Sequence, residues 1–242
     1  MLARLLYRDG LMLIIDKPAG LPVHAGPGGG PNLEQYLGAL RFGLPQPPGL
    51  AHRLDRDTSG CLVLGRQRKG LSRLGKLFAG GRVEKTYWAV TVGVPAEPVG
   101  RIDLPLLKVG KPNSWKMATD PTGEKGGQAA LTEYLVLGSG GGLAWIEAKP
   151  KTGRTHQIRV HLASLGTPIL GDRQYGDTSL PERPLHLLAR AVTVPLYPNK
   201  SAIAVEAPVP VHMQAALKSC GWREEERPES DPGGNPTQLN GA

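Results

Sequence analysis

The nine residues 52–60, HRLDRDTSG, constrain the fold more than any other stretch of the chain. A proline-rich approach precedes them, and the apolar run 61–64 follows immediately. A polar segment that ends on a short apolar run between turn residues is typical of a loop entering a buried strand. We therefore expect Asp55 at the edge of the core, where the charges of Arg53 and Arg56 favour its ionised form. A solvated charged loop with purely local hydrogen bonds also fits the composition.

The charge of the chain indicates a polyanionic partner. The formal net charge is +8, although residues 223–242 hold five acidic residues and two arginines. Residues 1–222 therefore carry 27 basic and 16 acidic side chains, a net charge of +11. Such a body suits nucleic acid, although surplus Lys and Arg also serve solubility. We expect residues 1–222 to form one domain and the acidic, Pro- and Gly-rich tail 223–242 to be disordered.

Membrane, metal and nucleotide-cofactor proteins are disfavoured by the sequence. No apolar run approaches the ~20 residues of a membrane span and no signal peptide is apparent, so we expect a soluble cytoplasmic protein. Cys61 and Cys220 lack metal-ligand spacing and are expected in or near the core. The histidines are scattered, and the glycines at 28–30 form neither a P-loop nor a dinucleotide fingerprint, so neither a metal nor a cofactor is predicted. Asp55 and Asp57 stand too close in sequence for a glycosidase pair.

Strand patterns occur on both sides of the motif. Residues 2–15 are typical of a hairpin, and residues 129–149 of a second one around a glycine turn. Alternation over 83–92 places Tyr87 opposite the more apolar face, towards an opening. The region 95–128 is rich in Lys, Pro and Gly and has few apolar runs, so we expect a mobile basic excursion whose charge reaches phosphate.

Helical spacing is found at four places. A short helix is predicted after an Asn32 cap, with Leu33, Tyr36, Leu37 and Leu40 as its apolar face. A basic amphipathic helix is predicted from Arg68 to the Gly80-Gly81 pair, and a closing helix over 210–221.

The fourth helix lies in a second dense polar stretch, 151–162. Thr155 is the expected N-cap. Arg159 lies ~100° around the helix from Ile158, at the edge of the buried stripe, where a guanidinium can hold a carboxylate by two parallel hydrogen bonds. Arg154 precedes the helix N-terminus, where backbone N–H groups favour a phosphate. The sequence is equally well explained if one of Arg154 and Arg159 is a surface residue and the other has a purely structural role. The expected stripe is Ile158, Leu162 and Leu165.

Five separated motifs resemble those of the RluA-type pseudouridine synthases. The resemblance covers residues 5–190, and the motifs follow the family's order. They are DKPAGL at 16–21 with His24, HRLDRDTSG at 52–60, KTYWA at 85–89, TGRTHQIRVHL at 152–162, and PILGD at 168–172 with Tyr175-Gly176.

The resemblance implies an α+β pseudouridine synthase fold for a catalytic domain at 1–222, a twisted mixed sheet with a central RNA-binding cleft and flanking helices. It implies an isomerase that breaks the glycosidic bond of uridine in RNA, rotates the uracil and rejoins C5 to C1′, without cofactor or metal. Asp55 would be the essential carboxylate, as nucleophile or as base. Tyr87 would stack on the uracil, Arg159 would pair with Asp55, and Arg53 would fill the place of the flipped base.

RNA contacts are expected from His52, Arg53, Arg56, Lys85, Arg154 and His156. Many relatives carry an N-terminal S4-like domain, for which there is no room before Leu5, so RNA selection is expected from the catalytic body. A monomer acting on a stem-loop of ribosomal or transfer RNA is the prediction, with the choice between these RNAs left open. The alternative is a catalytically silent RNA-binding or ribosome-assembly factor on the same scaffold, against which the intact Asp55, Tyr87 and Arg159 argue.

Overall fold

The computed structural model describes residues 1–26, 29–111, 114–179 and 181–224, which contain twelve strands and three α-helices. The strands are β1 (Leu5–Arg8), β2 (Met12–Lys17), β3 (Gly49–Leu50), β4 (Ser59–Gly65), β5 (Glu84–Val92), β6 (Val99–Asp103), β7 (Leu106–Lys111), β8 (Ser114–Thr119), β9 (Leu131–Gly140), β10 (Leu143–Pro150), β11 (Leu187–Val194) and β12 (Ile203–Glu206). The helices are α1 (Arg68–Ala79), α2 (Gln157–Ser164) and α3 (Val211–Ser219), with 3-10 helices at Leu2–Arg4 and Leu33–Leu40.

Ten of the described strands form one mixed sheet. Eight follow the order β1-β2-β4-β11-β5-β10-β9-β6, while β3 lies beside β4 and β12 beside β11. Strands β7 and β8 form a separate two-stranded sheet. Strands β4 and β11 run parallel, whereas β2 pairs with β4, and β5 with β11, in antiparallel fashion. The helices pack against this sheet, so the α+β class predicted from the sequence is confirmed.

Strand β4 is apolar because both of its faces are covered. Its seven residues are all buried. Cys61 and Val63 pack in the cluster that includes side chains of α1, whereas Leu62 and Leu64 pack in the cluster that includes the 3-10 helix Leu33–Leu40. Since successive side chains of a strand point to opposite faces, cover on both sides requires an unbroken apolar run. The predicted loop leading into a buried strand at 52–64 is therefore confirmed.

The predicted hairpins and two of the helices are confirmed. Strands β1 and β2 pair around Asp9-Gly10, and β9 pairs with β10. Helices α1 and α3 occupy the expected segments. Cys61 and Cys220 are free thiols that are 2% and 3% exposed, as a core position requires.

One predicted N-cap is confirmed and one is wrong. Asn32 is the N-cap residue of the segment Leu33–Leu40, but this segment is a 3-10 helix, the Asn32 side chain makes no capping bond, and Tyr36 is 45% exposed rather than part of the apolar face. Helix α2 begins at Gln157, and its N-cap residue is His156 rather than Thr155. Leu165 follows α2 and is exposed, so it does not belong to the buried stripe.

The basic excursion predicted at 95–128 is wrong, because this region contains β6, β7 and β8. Strand β6 extends the main sheet by pairing with β9, which follows it in the chain. The β7–β8 hairpin packs on α2 through Leu106, Met117 and Val160. These strands are only five or six residues long and largely exposed, with few apolar residues, which is why the local pattern did not reveal them. Of the predicted tail 223–242, residues 225–242 lie outside the described residues.

Candidate active site

Asp55 lies at the base of a cleft bordered by the loop before β4, by β5 and by the start of α2. Its side chain is 20% exposed, and its backbone carbonyl accepts a hydrogen bond of 3.2 Å from the amide of Thr58. The neighbouring Leu54 is 4% exposed and anchors the loop in the core. Asp55 therefore presents its carboxylate from a fixed loop.

The ammonium group of Lys17 holds the Asp55 loop in place. It is fully buried, and its ammonium donates to the carbonyls of Pro18, Leu21 and Arg56 at 2.8, 2.9 and 2.9 Å. Burial lowers its pKa to about 8, while the carboxylates of Asp57 and Asp55 favour the charged form. Three carbonyls match the three donors of an ammonium, so the DKPAGL segment and the Asp55 loop share one cation. The sequence placed Lys17 in a motif but did not predict this role.

Arg159 reaches inward from α2, as predicted, but its two parallel hydrogen bonds go to Asp172. The Nε and terminal nitrogen lie 2.7 and 2.8 Å from the two oxygens of Asp172, whereas the other terminal nitrogen is 3.9 Å from Asp55 Oδ2. Asp172 is fully buried at its side chain and also accepts the amides of Gln174 and Tyr175. Arg159 is thus held in place by Asp172 and presents a positive charge to Asp55.

Burial opposes the charge on Arg159, but the Asp172 carboxylate outweighs it. The hydrogen bonds to Asp172 and the attraction of Asp172 and Asp55 raise the pKa of the guanidinium above its ordinary value. The face of the guanidinium also lies 4.9 Å from the centre of the Tyr175 ring. A permanent cation therefore borders the carboxylate of Asp55.

Tyr87 lines the same cleft from β5, on the face that the alternation predicted. Its ring packs against both core clusters that meet below the cleft. Burial, together with the charges of Asp55 and Cys61, raises the pKa of its phenol, so the ring presents a neutral hydroxyl at physiological pH.

His156 borders Asp55 on the side of α2. Its backbone is left-handed (φ 54°), which is uncommon for a residue other than glycine. Nε2 lies 3.8 Å from Asp55 Oδ2, and Nδ1 lies 2.8 Å from the hydroxyl of Tyr175. The ring stacks on that of Trp115, with 5.6 Å between centroids. Sequence reasoning predicted an RNA contact for His156 and did not predict these neighbours.

The remaining predicted RNA contacts divide into two groups. Arg53, Lys85 and Arg154 line the cleft and a groove that continues beside it. Arg154 is exposed and donates to the carbonyl of Ala129 at 3.0 Å, while Lys85 is half-buried, donates to the carbonyl of Thr152 at 3.2 Å and has its pKa lowered by burial. Three basic side chains therefore line the cleft and the groove.

His52 and Arg56 have partners within the protein. The Nε2 atom of His52 accepts the amide of Val63 at 3.0 Å, and its ring stacks on Phe78. Burial and the charge of Lys85 lower the pKa of His52 to about 3, so it is neutral. Arg56 is exposed and makes two hydrogen bonds of 3.0 Å to Asp57, the carboxylate that the sequence offered as a possible partner of Asp55. Asp57 is thus paired with Arg56 rather than with Asp55.

Within the described ranges, no three or more His, Cys, Asp and Glu side chains are arranged to hold a metal ion. The described helices also include none long and apolar enough to cross a membrane.

Known proteins resemble this chain in both sequence and structure. The family model described as RNA pseudouridylate synthase matches residues 11–164. An uncharacterized RNA pseudouridine synthase of Zymomonas mobilis is 44% identical over 212 residues, covering 86% of this chain and 94% of the relative. The mitochondrial pseudouridylate synthase RPUSD4 of Rattus norvegicus is 37% identical over 194 residues, covering 72% of this chain and 52% of the relative.

Two human structures share the fold. RNA pseudouridylate synthase domain containing 4 superposes with a TM-score of 0.75 at 30% identity, over 90% of this chain and 93% of the other. RNA pseudouridylate synthase domain containing 1 gives a TM-score of 0.72 at 26% identity, over 88% and 86%.

The chain belongs to the RluA-type family of RNA pseudouridine synthases. It is an isomerase whose substrate is RNA, as its sequence motifs predicted. The matched residues include Asp55, Tyr87 and Arg159, whereas Asp172 and Tyr175 lie beyond them. Both of these lie in the last of the five sequence motifs, which is the signal by which their part in the site could have been predicted.

Proposed function

We propose that this chain converts specific uridines of structured ribosomal or transfer RNA to pseudouridine, with Asp55 as the reacting carboxylate. One observation carries the proposal: a single carboxylate stands at the base of the basic cleft, within 4 Å of the cation of Arg159. Tyr87 shares the cleft with it. A nucleophile or base needs to be ionised to act, and an adjacent cation favours that form.

Besides this carboxylate, the reaction requires few groups from the protein. The bond between N1 and C1′ breaks, the uracil turns within the cleft, and a bond between C5 and C1′ forms while the C5 proton is lost and N1 gains one. Asp55 acts either as a nucleophile at C1′ or as a base at C2′, and both routes return the carboxylate unchanged. The reaction is redox-neutral, so its stoichiometry requires no cofactor. Tyr87 supports the turning uracil and stands near the site of C5 proton loss.

Access requires the target base to leave its stack, which costs a few kcal/mol. Arg53 is exposed at the mouth of the cleft, a position suited to occupying the vacated place. Arg154 and Lys85 border the same opening and suit the phosphates on either side. These residues are consistent with recognition by a catalytic domain at 1–222 acting as a cytoplasmic monomer, which stays a prediction.

The central test is Asp55→Asn, which preserves size and removes the charge. We expect no pseudouridine from this variant in a tritium-release assay on total cellular RNA, with RNA affinity close to that of the wild type. Asp57→Asn is the matched control, because this carboxylate two residues away is exposed and pairs with Arg56 instead. It should keep its activity. Pseudouridine formation by Asp55→Asn at the wild-type rate would contradict the assignment.

The RNA target is best found by mapping pseudouridine in total RNA with and without the gene. If the pseudouridines that disappear without the gene all lie in ribosomal RNA, or all in transfer RNA, that RNA is the substrate class. If no site is lost while the purified protein still binds RNA, the protein is the silent binding factor rather than an active synthase.

A further inference from the structure

The catalytic carboxylate has a second neighbour besides Arg159. Arg159 is committed to Asp172 by two hydrogen bonds below 3 Å, so its remaining nitrogen approaches Asp55 only to 3.9 Å. His156 Nε2 approaches the same oxygen, Oδ2, to 3.8 Å from another direction. Catalytic hydrogen bonds are often long before substrate binds and shorten in the complex. The orientation of Asp55 therefore depends on His156 as well as on the cation.

The partners of Tyr175 determine which nitrogen of His156 carries the proton. In the described part of the chain, the Tyr175 hydroxyl accepts the amide of Met117 at 2.9 Å, and its other close partner is His156 Nδ1 at 2.8 Å. The hydroxyl has one proton to donate, and that proton points to Nδ1. Burial lowers the pKa of His156, and Arg159 acts in the same direction against the pull of Asp55. A neutral ring that accepts at Nδ1 carries its proton on Nε2, facing Asp55.

The ring is held by the β7–β8 hairpin. Trp115 on β8 stacks on it at an interplanar angle of 18°, and the carbonyl of Trp115 accepts a hydrogen bond of 2.9 Å from Gln174. The amide that fixes Tyr175 also belongs to β8, at Met117. The His156 side chain is 14% exposed, and its left-handed backbone restricts its movement further. A shift of β8 would therefore displace both the ring and the hydroxyl that sets its proton.

The opposite surface of the hairpin is cationic. Lys111 and Lys116 are exposed on that surface, whereas Lys108 is exposed on the same face as Trp115, with its ammonium 4.4 Å from the centre of the Trp115 ring. An RNA backbone on these lysines would hold the strand that supports His156.

We propose that His156 is a positioning residue for Asp55, donating from Nε2, and that RNA bound on the β7–β8 hairpin steadies it through Trp115 and Tyr175. The inference rests on the proposed function of Asp55. It replaces the RNA contact that the sequence predicted for His156 with a role inside the protein. RNA binding to the hairpin and the reactivity of Asp55 are thereby coupled.

His156→Phe tests the role, because phenylalanine keeps a ring to stack on Trp115 and removes both nitrogens. We expect the single-turnover rate of pseudouridine formation to fall ~10- to 100-fold, the order for losing one hydrogen bond to a charged group. RNA affinity should stay within about twofold, since no RNA contact is removed. A wild-type rate, or a loss of affinity in place of rate, would overturn the proposal.

Tyr175→Phe separates positioning from general damage to the fold, and it is conservative enough to remain folded. If Tyr175 acts through His156, the double variant is no slower than His156→Phe alone. Losses that multiply would show two independent effects and refute the coupling. Tyr134→Phe is the matched control, because its hydroxyl donates to the carbonyl of Glu97 away from the cleft, and its rate should be unchanged.

Trp115→Leu tests the link to the hairpin. We expect a slower rate in the wild-type background and no further slowing in the His156→Phe background, whereas a wild-type rate for Trp115→Leu alone would overturn the link. Failure of the proposed function is distinguishable, since it appears in the unmodified protein as absence of pseudouridine. Failure of this inference leaves the wild type active and Asp55→Asn inactive.

Discussion

Burial sets the protonation of the side chains around Asp55. It raises the pKa of the Tyr87 phenol and lowers the pKa of His156 and of Lys85. Arg159 departs from this pattern, because the hydrogen bonds of Asp172 hold its charge. Burial and the Asp172 carboxylate thus act in opposite directions on the charged forms of the groups that share the cleft with Asp55.

Because the pKa of His52 differs between the folded and the unfolded chain, the free energy of unfolding should depend on pH. Its pKa lies at about 3 in the folded protein against an ordinary value of 6.5, because burial disfavours the proton. Below pH 6.5 the unfolded chain binds more protons, so the free energy of unfolding falls as the pH drops from 6.5 towards 3, by at most ~1.4 kcal/mol per pH unit from this group. His52→Gln keeps an acceptor for the Val63 amide and removes the titration.

Urea unfolding at pH 8, 6.5, 5.5 and 5 provides the measurement. The slope of the free energy of unfolding against pH gives the number of protons taken up on unfolding. Between pH 6.5 and 5 this number should be smaller by about one in His52→Gln than in the wild type, whatever the stability of the variant at pH 8. Identical slopes for variant and wild type would show that His52 is not held neutral in the fold.

Among the elements, the β7–β8 hairpin carries exposed lysines and contacts His156, which lies beside Asp55. Its inner side packs on α2 and its outer side carries exposed lysines. The sequence predicted the basic charge of this region. It did not predict that the region forms a hairpin packed on α2. Lysines of this region were expected on an irregular excursion, and the structure places them on a docked sheet instead.

Lys111→Gln with Lys116→Gln should weaken RNA binding in a salt-dependent way. Removing one lysine–phosphate interaction lowers the slope of log affinity against log salt by ~0.7 to 0.9, so the pair should lower it by up to ~2. Lys200→Gln with Lys218→Gln is the control with equal charge, because both lysines are exposed and lie outside the cleft lining. Fluorescence anisotropy from low to moderate salt measures the slopes. An equal change in both double variants would show a general charge effect rather than RNA binding at the hairpin.

For the whole molecule, the parallel pairing of β4 with β11 joins the N-terminal and C-terminal parts of the chain. Gly60 lies at this pairing, opposite Ala189. Its backbone is left-handed (φ +103°), and a Cβ there would stand 2.3 Å from the carbonyl oxygen of Ala189. No side chain can be accommodated without separating the strands. The last glycine of the HRLDRDTSG motif thus closes the sheet that carries Asp55.

Gly60→Ala should lower the free energy of unfolding by about 3 kcal/mol or more, through overpacking and backbone strain. Gly75→Ala is the same substitution within α1 at a position with nothing within 4 Å of the added Cβ, and it should raise stability by ~0.5 to 1 kcal/mol. Urea unfolding of both variants measures the difference. Similar effects of the two substitutions would contradict the role of Gly60 at the strand pairing.

The sequence by itself determined the family, the α+β class, the buried strand after the motif and the inward direction of Arg159. These depend on local information: an apolar run, a helical angle, or motifs that can be recognised one at a time. The resemblance of the HRLDRDTSG motif to the family's signature also indicated Asp55 as the reacting group. Its role in catalysis is still a prediction that the Asp55→Asn experiment tests.

Only the tertiary structure decided which groups meet. Arg159 was expected to hold Asp55, yet its two-bond partner is Asp172, thirteen residues further along the chain. Trp115 stacks on His156, beside Asp55, from a hairpin whose strands the local pattern did not reveal. Burial, which fixes the neutral state of His52, results from the same non-local packing. Local sequence sets the conformation that a segment prefers, whereas the pairing of charges and rings depends on which distant segments fold against each other.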